Sequence, residues 1–310
     1  MRLDRLLVSL LIVVCLAAAI GNWVIGSSLP TSARNRAPDI ALIDVYGGIS
    51  DATGSSPLGG GSGATVTTLI DAIQAARKDK VKAILLRINS PGGTAAAAQS
   101  VYHELMRTRK ETSIKIVASL GDVAASGGYY VASAAHKIVA NPSTLTGSIG
   151  VIVRTQNVAN LLEKLGVQPG SFQSGQFKDM LSPFRSATTD ERQIIQGIVS
   201  DSYEQFLAAI VDGRNIAMAD LRKIADGRIF TGSQAKTAQL VDVLGNYRDA
   251  IQETAKLTGI KGEPSVRNYT AKSLSSSLLG RFLPFSGSAI WPSHVPTVQT
   301  WDNVPLALME

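Results

Sequence analysis

Cysteine is almost missing from this chain: Cys15 is the only one in 310 residues. That excludes an intramolecular disulfide, a CxxC redox pair and cysteine-based zinc fingers. Histidine is scarce as well, and His103, His136 and His294 lie too far apart to form HExxH or another local metal motif. Aromatic residues make up 5% of the chain, and the basic residues behind the net charge of +6 are scattered. With no basic stripe and no aromatic platform, nothing points to nucleic-acid binding. There is no internal repeat, which favours one functional unit over two in tandem. The remaining composition, 45% hydrophobic and 17% charged, is that of a globular protein.

Residues 6–25 are apolar except for Ser9, Gly21 and Asn22, and the run is long enough to cross a hydrocarbon core. Arg2 and Arg5 precede it, so the positive-inside tendency puts the start in the cytoplasm and the body outside. Residues 17–19 offer a small-residue cleavage site, making a removed signal peptide the rival reading. Apolar character continues through Trp23, Val24 and Ile25, which favours a retained anchor. Cys15 follows the large Val14, unlike a lipoprotein site, and reads as a lipid-facing or packing residue. The expected organisation is a cytoplasmic start and anchor at 1–26, a linker at 27–38 and a folded domain at 39–260. A tail at 261–310 either docks on a neighbour or is loosely ordered.

Within the body, residues 40–46 read as a strand, and the glycine- and serine-rich stretch 47–63 as a surface loop, either passive or gating. Val66, Leu69, Ile70, Ile73 and Ala76 recur at helical spacing. Residues 81–88 form a buried strand ending at Asn89-Ser90-Pro91-Gly92-Gly93, and an alanine-rich helix runs from Thr94 towards Arg109. A strand over 114–120 leads into GDVAASGGYYVASAA at 121–135, followed by short strands at 138–140 and 149–153 and a helix at 158–165. Residues 171–185 read as an ordered loop. Residues 189–214 read as a long helix with Ile194, Ile195, Ile198, Val199, Phe206, Leu207 and Ile210 on its apolar side. Shorter helices are expected at 219–226, 233–239 and 247–257. Strands alternating with helices imply an α/β body with parallel pairing.

Ser126 sits where strand gives way to helix, between Ala124-Ala125 and Gly127-Gly128. It can cap the helix, or present its hydroxyl as an acyl-transfer nucleophile beside free helix amides. A nucleophile needs a base. His136 lies ten residues on, roughly 15 Å away along a continuous helix, and neither His103 nor His294 has a catalytic neighbourhood. Lys178 is the alternative, flanked by Phe177, Met180 and Leu181, with Gly175 allowing close approach. A lysine serves as a base where burial leaves its amine neutral. Its ordinary reading is a solvated side chain, and Asp179 beside it would favour the charged amine. The Pro-Gly-Gly turn presents amides, and that of Gly93 could join that of Gly127 in an oxyanion hole.

Four segments in order resemble the motifs of signal peptide peptidase A, the protease IV-like serine peptidases: NSPGG at 89–93, AASGGYY at 124–130, TLTGSIGV at 144–151 and KDMLSPF at 178–184. The resemblance covers roughly residues 40–257 and is to the short, single-repeat form. It implies an α/β fold of the crotonase/Clp-protease kind, a superhelix of ββα units, preceded by an N-terminal transmembrane helix. It also implies Ser126 as nucleophile, Lys178 as general base, Gly93 and Gly127 as oxyanion donors, and Ser148 as the residue orienting the lysine, a turn hydroxyl being its alternative reading. No metal or cofactor is required. Implied partners are peptide substrates (remnant signal peptides, unfolded or membrane-associated chains), the membrane, and further copies in a homo-oligomeric ring whose active sites are shared between subunits. Implied placement is a single-pass protein of the cell (inner) membrane with its catalytic domain extracytoplasmic. The Clp branch uses a histidine where this chain has Val151, which excludes that mechanism here. Two other readings of the scaffold are crotonase-like acyl-CoA chemistry, disfavoured by the outward topology, and a non-catalytic membrane scaffold, disfavoured by the intact motifs.

Overall fold

The structure, a computed structural model, describes residues 37–51 and 64–270, together with the backbone of residues 308–309. The expected anchor, nearly all of the linker, most of the 47–63 loop and most of the tail lie outside the described residues. Among the described residues no helix is long and apolar enough to cross a membrane. The chain divides into two units, Met1–Pro38 and Asp39–Glu310, and all the described elements belong to the second.

In chain order these are β1 (Ile40–Tyr46), α1 (Val66–Lys78), β2 (Ala83–Ser90), β3 (Gly93–Thr94), α2 (Ala95–Glu111), β4 (Lys115–Ala125) and α3 (Gly127–Ser133). Then come β5 (Lys137–Ala140), β6 (Leu145–Gly147), α4 (Ala159–Lys164), α5 (Thr189–Arg214), α6 (Met218–Leu221), β7 (Ile229–Thr231) and α7 (Gly232–Thr237). Last are β8 (Val243–Leu244), α8 (Tyr247–Thr258), β9 (Val266–Asn268) and β10 (Leu308–Met309). Eight strands form one mixed sheet in the order β7-β6-β4-β2-β1-β9, with β5 also on β4 and β8 on β5. Among the described strands of this sheet, only β6 and β7 pair antiparallel.

Alternation decides the two faces. Ile84, Leu86 and Ile88 of β2 and Ile116, Ala118 and Leu120 of β4 pack with Leu69, Ile73, Leu105 and Phe206 from the helices on one side. Ala83, Leu85, Val117 and Val139 point the other way, onto Ala250 of α8. Burial on both faces is why β2 reads as an uninterrupted apolar run, as parallel strands do. β1 and α1 match their sequence readings, the latter capped by the Thr65 side chain, which accepts from the Thr68 N–H.

The 149–153 segment, expected as a strand, is not one; the strand is β6, just before it. Gly147 and Ser148 both take positive φ (81° and 49°), which turns the chain out of the sheet before its β-branched residues can pair. The apolar side of the long helix is buried only in its second half, at Phe206, Leu207, Ala209 and Ile210. Ile194 and Ile198, from the same apolar stripe, are exposed. The segment that thins from Lys261 begins with an ordered strand: β9 runs parallel to β1, with Ile40 N–H donating to Ser265 O (3.0 Å) and Tyr269 N–H to Leu42 O (2.9 Å). The Ser265 hydroxyl donates to Asp39 (2.8 Å).

His136 has a structural job in this frame. Its N–H donates to Ile116 O (2.8 Å), and its Nδ1 accepts the Ile116 N–H (3.0 Å), so the ring completes the start of β4. Burial, then Arg109 and Lys115, push its pKa down from 6.5 to about 4. The unfolded chain therefore takes up a proton first as pH falls, and stability is lost from about pH 6.5 down to about pH 4. Allowing for screening at this half-buried site, the loss is expected to be about 2 kcal/mol. Urea unfolding at pH 7 and pH 4 checks it: His136→Asn, which keeps an acceptor and cannot titrate, should shrink the difference by that amount.

Candidate functional site

The site is assembled where β2 and β4 end. The pairing of these strands shifts register between Ile88 and Ser90. Asn89 compensates for the break, its Oδ1 accepting the Val123 N–H at 3.1 Å. Ser90, fully buried, closes the turn on itself: its hydroxyl accepts the Gly92 N–H (3.1 Å) and donates to Gly92 O (3.2 Å). The turn delivers Gly93 against Ile49, whose N–H donates to Gly92 O (2.8 Å) and whose carbonyl accepts the Thr94 N–H (3.0 Å). A Cβ on Gly93 would lie 1.9 Å from Ile49 O, so only glycine fits. The other edge of Gly93–Thr94 carries an antiparallel strand, with Leu308 opposite Thr94 and Met309 opposite Gly93.

Ser126 occupies the junction of β4 and α3 with φ 52° and ψ −119°, a conformation that side-chain-bearing residues rarely adopt. Such strain costs on the order of 1–3 kcal/mol and persists only when the surroundings enforce it. Here they do so from both sides. The Ser126 N–H donates to Gly147 O (2.8 Å), and its carbonyl accepts the Tyr130 N–H (2.8 Å). The hydroxyl makes no capping bond to the helix. Ser126 is fully buried, and its Oγ has no hydrogen-bond partner among the described residues. A buried orphan hydroxyl is itself destabilising, by about 1–3 kcal/mol. The helix-cap reading of Ser126 is thereby excluded.

Gly127 opens α3, and a Cβ there would lie 3.1 Å from the Gly93 nitrogen, so the backbones of the two glycines nearly touch. Two buried tyrosines fix the helix behind them. The Tyr129 hydroxyl donates to Leu240 O (2.9 Å), and the Tyr130 ring stacks on Phe206 at 4.6 Å and meets Tyr102 edge-on at 5.3 Å. Ser148 follows Gly147 in β6, the strand beside Ala125, and its N–H donates to Arg228 O (2.9 Å). Thr144 and Thr146 pin that strand to β4, donating to Gly121 O (2.7 Å) and Ala124 O (2.6 Å). Their alternation along TLTGS is a period-two pattern that could have been read as a polar strand face.

The structure brings Ser126, Gly127, Gly93 and Ser148 together. Lys178 makes no hydrogen bond to Ser126, whose Oγ has no partner among the described residues. Lys178 is exposed, on a turn where its N–H donates to Gly175 O at 3.1 Å. The apolar neighbours expected to bury it do not: Phe177 is itself exposed. The whole excursion stands open, since α4 has no buried residue and Leu161, Leu165 and Phe172 face outward. Its neck is tied: Val158 N–H donates to Pro183 O (2.7 Å), and Asn157 to Ser186 Oγ (3.1 Å).

Sequence reasoning missed Arg185, which makes two contacts with the Asp179 carboxylate (2.9 and 2.7 Å) and also grips Glu191 (2.8 Å). The Arg185 guanidinium lowers the pKa of Asp179 and is the first cause of Glu191 falling to about 2. Glu191 was findable: Thr188-x-x-Glu191 is a capping-box pattern, and the structure has that box. Among the described residues no group of histidine, cysteine or carboxylate side chains could hold a metal ion.

Residues 108–261 match Peptidase family S49. The chain is 41% identical over 230 residues to a protein of Synechocystis sp. named as a protease, covering 74% of this chain and 77% of that one. It is 36% identical over 236 residues to a protein of Enterococcus faecium named as a signal peptide peptidase SppA, covering 76% of this chain and 67% of the relative. Protease 4 of Salmonella typhi is 35% identical over 274 residues, 86% of this chain but 43% of the longer relative.

The packing around the two glycines sets an order of tolerance. Gly93→Ala is expected to cost more than about 2 kcal/mol, because backbone must move, and Gly127→Ala clearly less. Urea unfolding of the two variants tests the order, and equal costs would contradict it.

Proposed function

The chain belongs to peptidase family S49, and on that footing we propose that it is a membrane-anchored serine endopeptidase with a Ser126–Lys178 dyad. The observation that carries the reading is Ser126: buried, strained at a strand–helix junction, with a hydroxyl that has no partner among the described residues. Strain and an orphan hydroxyl are both costs, and a reactive centre is where such costs are retained.

In this reading Ser126 Oγ attacks the substrate carbonyl carbon while the neutral Lys178 amine takes the hydroxyl proton. The carbonyl oxygen becomes an oxyanion, held by the N–H groups of Gly93 and Gly127. The tetrahedral intermediate collapses, the C–N bond breaks, and the lysine returns its proton to the leaving amine. Water then attacks the acyl-enzyme ester, the lysine taking a proton from the water and giving one back to Ser126. Ser148 orients the lysine amine. No metal or cofactor enters any step.

Substrates are extended peptides that add a strand beside Gly93–Thr94, the edge where Leu308–Met309 lies. Remnant signal peptides and unfolded or membrane-associated chains have the apolar character expected near a bilayer. Residues 6–25 are the anchor, with the peptidase domain on the extracytoplasmic side of the inner membrane. The long, doubly paired β4 and the helix after it support a ββα superhelix of the crotonase/Clp-protease kind.

The dyad is completed between subunits of a homo-oligomeric ring. Two observations support this: Ser126 Oγ lacks a partner among the described residues, and Lys178 rides on an excursion whose Leu161, Leu165 and Phe172 side chains are uncovered. Patches of that kind mark surfaces that meet another protein.

The test is hydrolysis of a quenched apolar peptide by full-length protein in mild detergent. Ser126→Ala and Lys178→Ala should each lose at least about 1,000-fold in kcat. The two variants assembled together should regain part of the activity, since some interfaces then carry both wild-type residues. Wild-type turnover by Lys178→Ala would remove the dyad, and an inactive mixture that demonstrably exchanges subunits would remove the sharing.

A further inference from the structure

Asp179 is the immediate neighbour of Lys178. A carboxylate beside an amine stabilises its ammonium form and competes for its position, and an ammonium cannot accept the serine proton. The surroundings of Asp179 answer this. Arg185 Nε donates to one oxygen at 2.9 Å and Nη2 to the other at 2.7 Å, a two-point grip that uses the planar fork of the guanidinium. Arg185 Nη1 donates to Glu191 at 2.8 Å, and Nη2 also contacts that carboxylate. The Glu191 side chain is 2% exposed and further accepts the Thr188 N–H at 2.8 Å, so its position is set by the start of α5. The guanidinium is thus held by a buried carboxylate on a 26-residue helix, and from there it reaches Asp179.

We propose that Arg185 is a positioning residue for the S49 reaction, engaging both oxygens of Asp179 and so drawing that carboxylate away from the neighbouring Lys178 amine. The inference rests on Lys178 being the base. Arg185 acts through Asp179 and touches neither substrate nor reacting atoms. Substrate binding beside Gly93–Thr94 is separate from it, so its loss falls on turnover.

The experiment is the same peptide assay on full-length protein, with kcat and KM measured for four variants. Arg185→Met strands the buried Glu191 and would confound folding, so Arg185→Lys is used: it keeps a cation for Glu191 but cannot grip two carboxylates. Arg185→Lys should lose about 10- to 100-fold in kcat, the cost of a misplaced catalytic group, with KM within about twofold. Asp179→Asn should stay within about twofold of wild type, and Arg185→Lys with Asp179→Asn should recover to within about fivefold. Three results overturn the inference: undiminished kcat in Arg185→Lys, a double variant as slow as the single, or an Asp179→Asn loss matching that of Arg185→Lys, which would make the pair a mere brace. If Arg185→Lys does not fold, Asp179→Asn decides alone, wild-type kcat upholding the inference and a tenfold loss overturning it. Lys178→Ala separates this from the dyad: if it turns over like wild type, the dyad itself fails, and if it is inactive while Arg185→Lys is unimpaired, only the role of Arg185 falls.

Discussion

The site depends on where β4 stops. Its first half pairs with β5 through Val117–Leu120, and its second half pairs with β6 through Val123–Ala125. Between the two partners, over residues 121–123, the pairing of β4 with β2 shifts register. The second pairing then carries straight into Ser126, whose N–H is taken by Gly147 O. The serine cannot relax into an ordinary helix start without breaking that bond, and it cannot continue the strand without losing the one from Tyr130. The strained geometry is imposed by a sheet hydrogen bond on one side and the first helical hydrogen bond on the other.

Much of this was legible because it is local. β1 falls at residues 40–46 as expected, bounded by Pro38 and Gly47, and the alternation of strand and helix carried the α/β layering. The small residues around Ser126 mark the junction in the sequence itself. Other features were illegible for physical reasons. Ile149, Val151 and Val153 have strand propensity, but positive φ at Gly147 and Ser148 overrides it, and propensity does not encode that. The apolar stripe of α5 correctly announced a helix, yet periodicity cannot say that Ile198 is left uncovered while Ile210 is buried. β9 is a short polar strand, Val266–Asn268, recognisable only through the edge of β1 that it completes.

The charged residues show the same limit more sharply. Asp179 beside Lys178 read as an obstacle, because sequence neighbours are all that a sequence displays. The partner that answers it, Arg185, lies six residues on and is itself steadied by Glu191. Such a chain of contacts depends on how the turn closes. The motif segments, by contrast, were readable in order, and their individual duties emerged only with the fold. Asn89 repairs a register break, Ser90 closes a turn, Tyr129 and Tyr130 hold the helix, and the threonines of TLTGS fasten one strand to the next.

The pairing of β1 with β9 has a mechanical side. The first strand of the main sheet, β1, and the last to join it, β9, run side by side in the same direction, Ile40 beside Val266, latched by Asp39 and Ser265. Tension applied through the residues before Ile40 and those after Tyr269 would pull these strands past each other along their length. In that geometry the Ile40–Ser265 and Tyr269–Leu42 bonds bear the load together, in shear, rather than peeling one at a time. A sheet tugged at these two points would therefore yield late and all at once, its edge acting as a clasp.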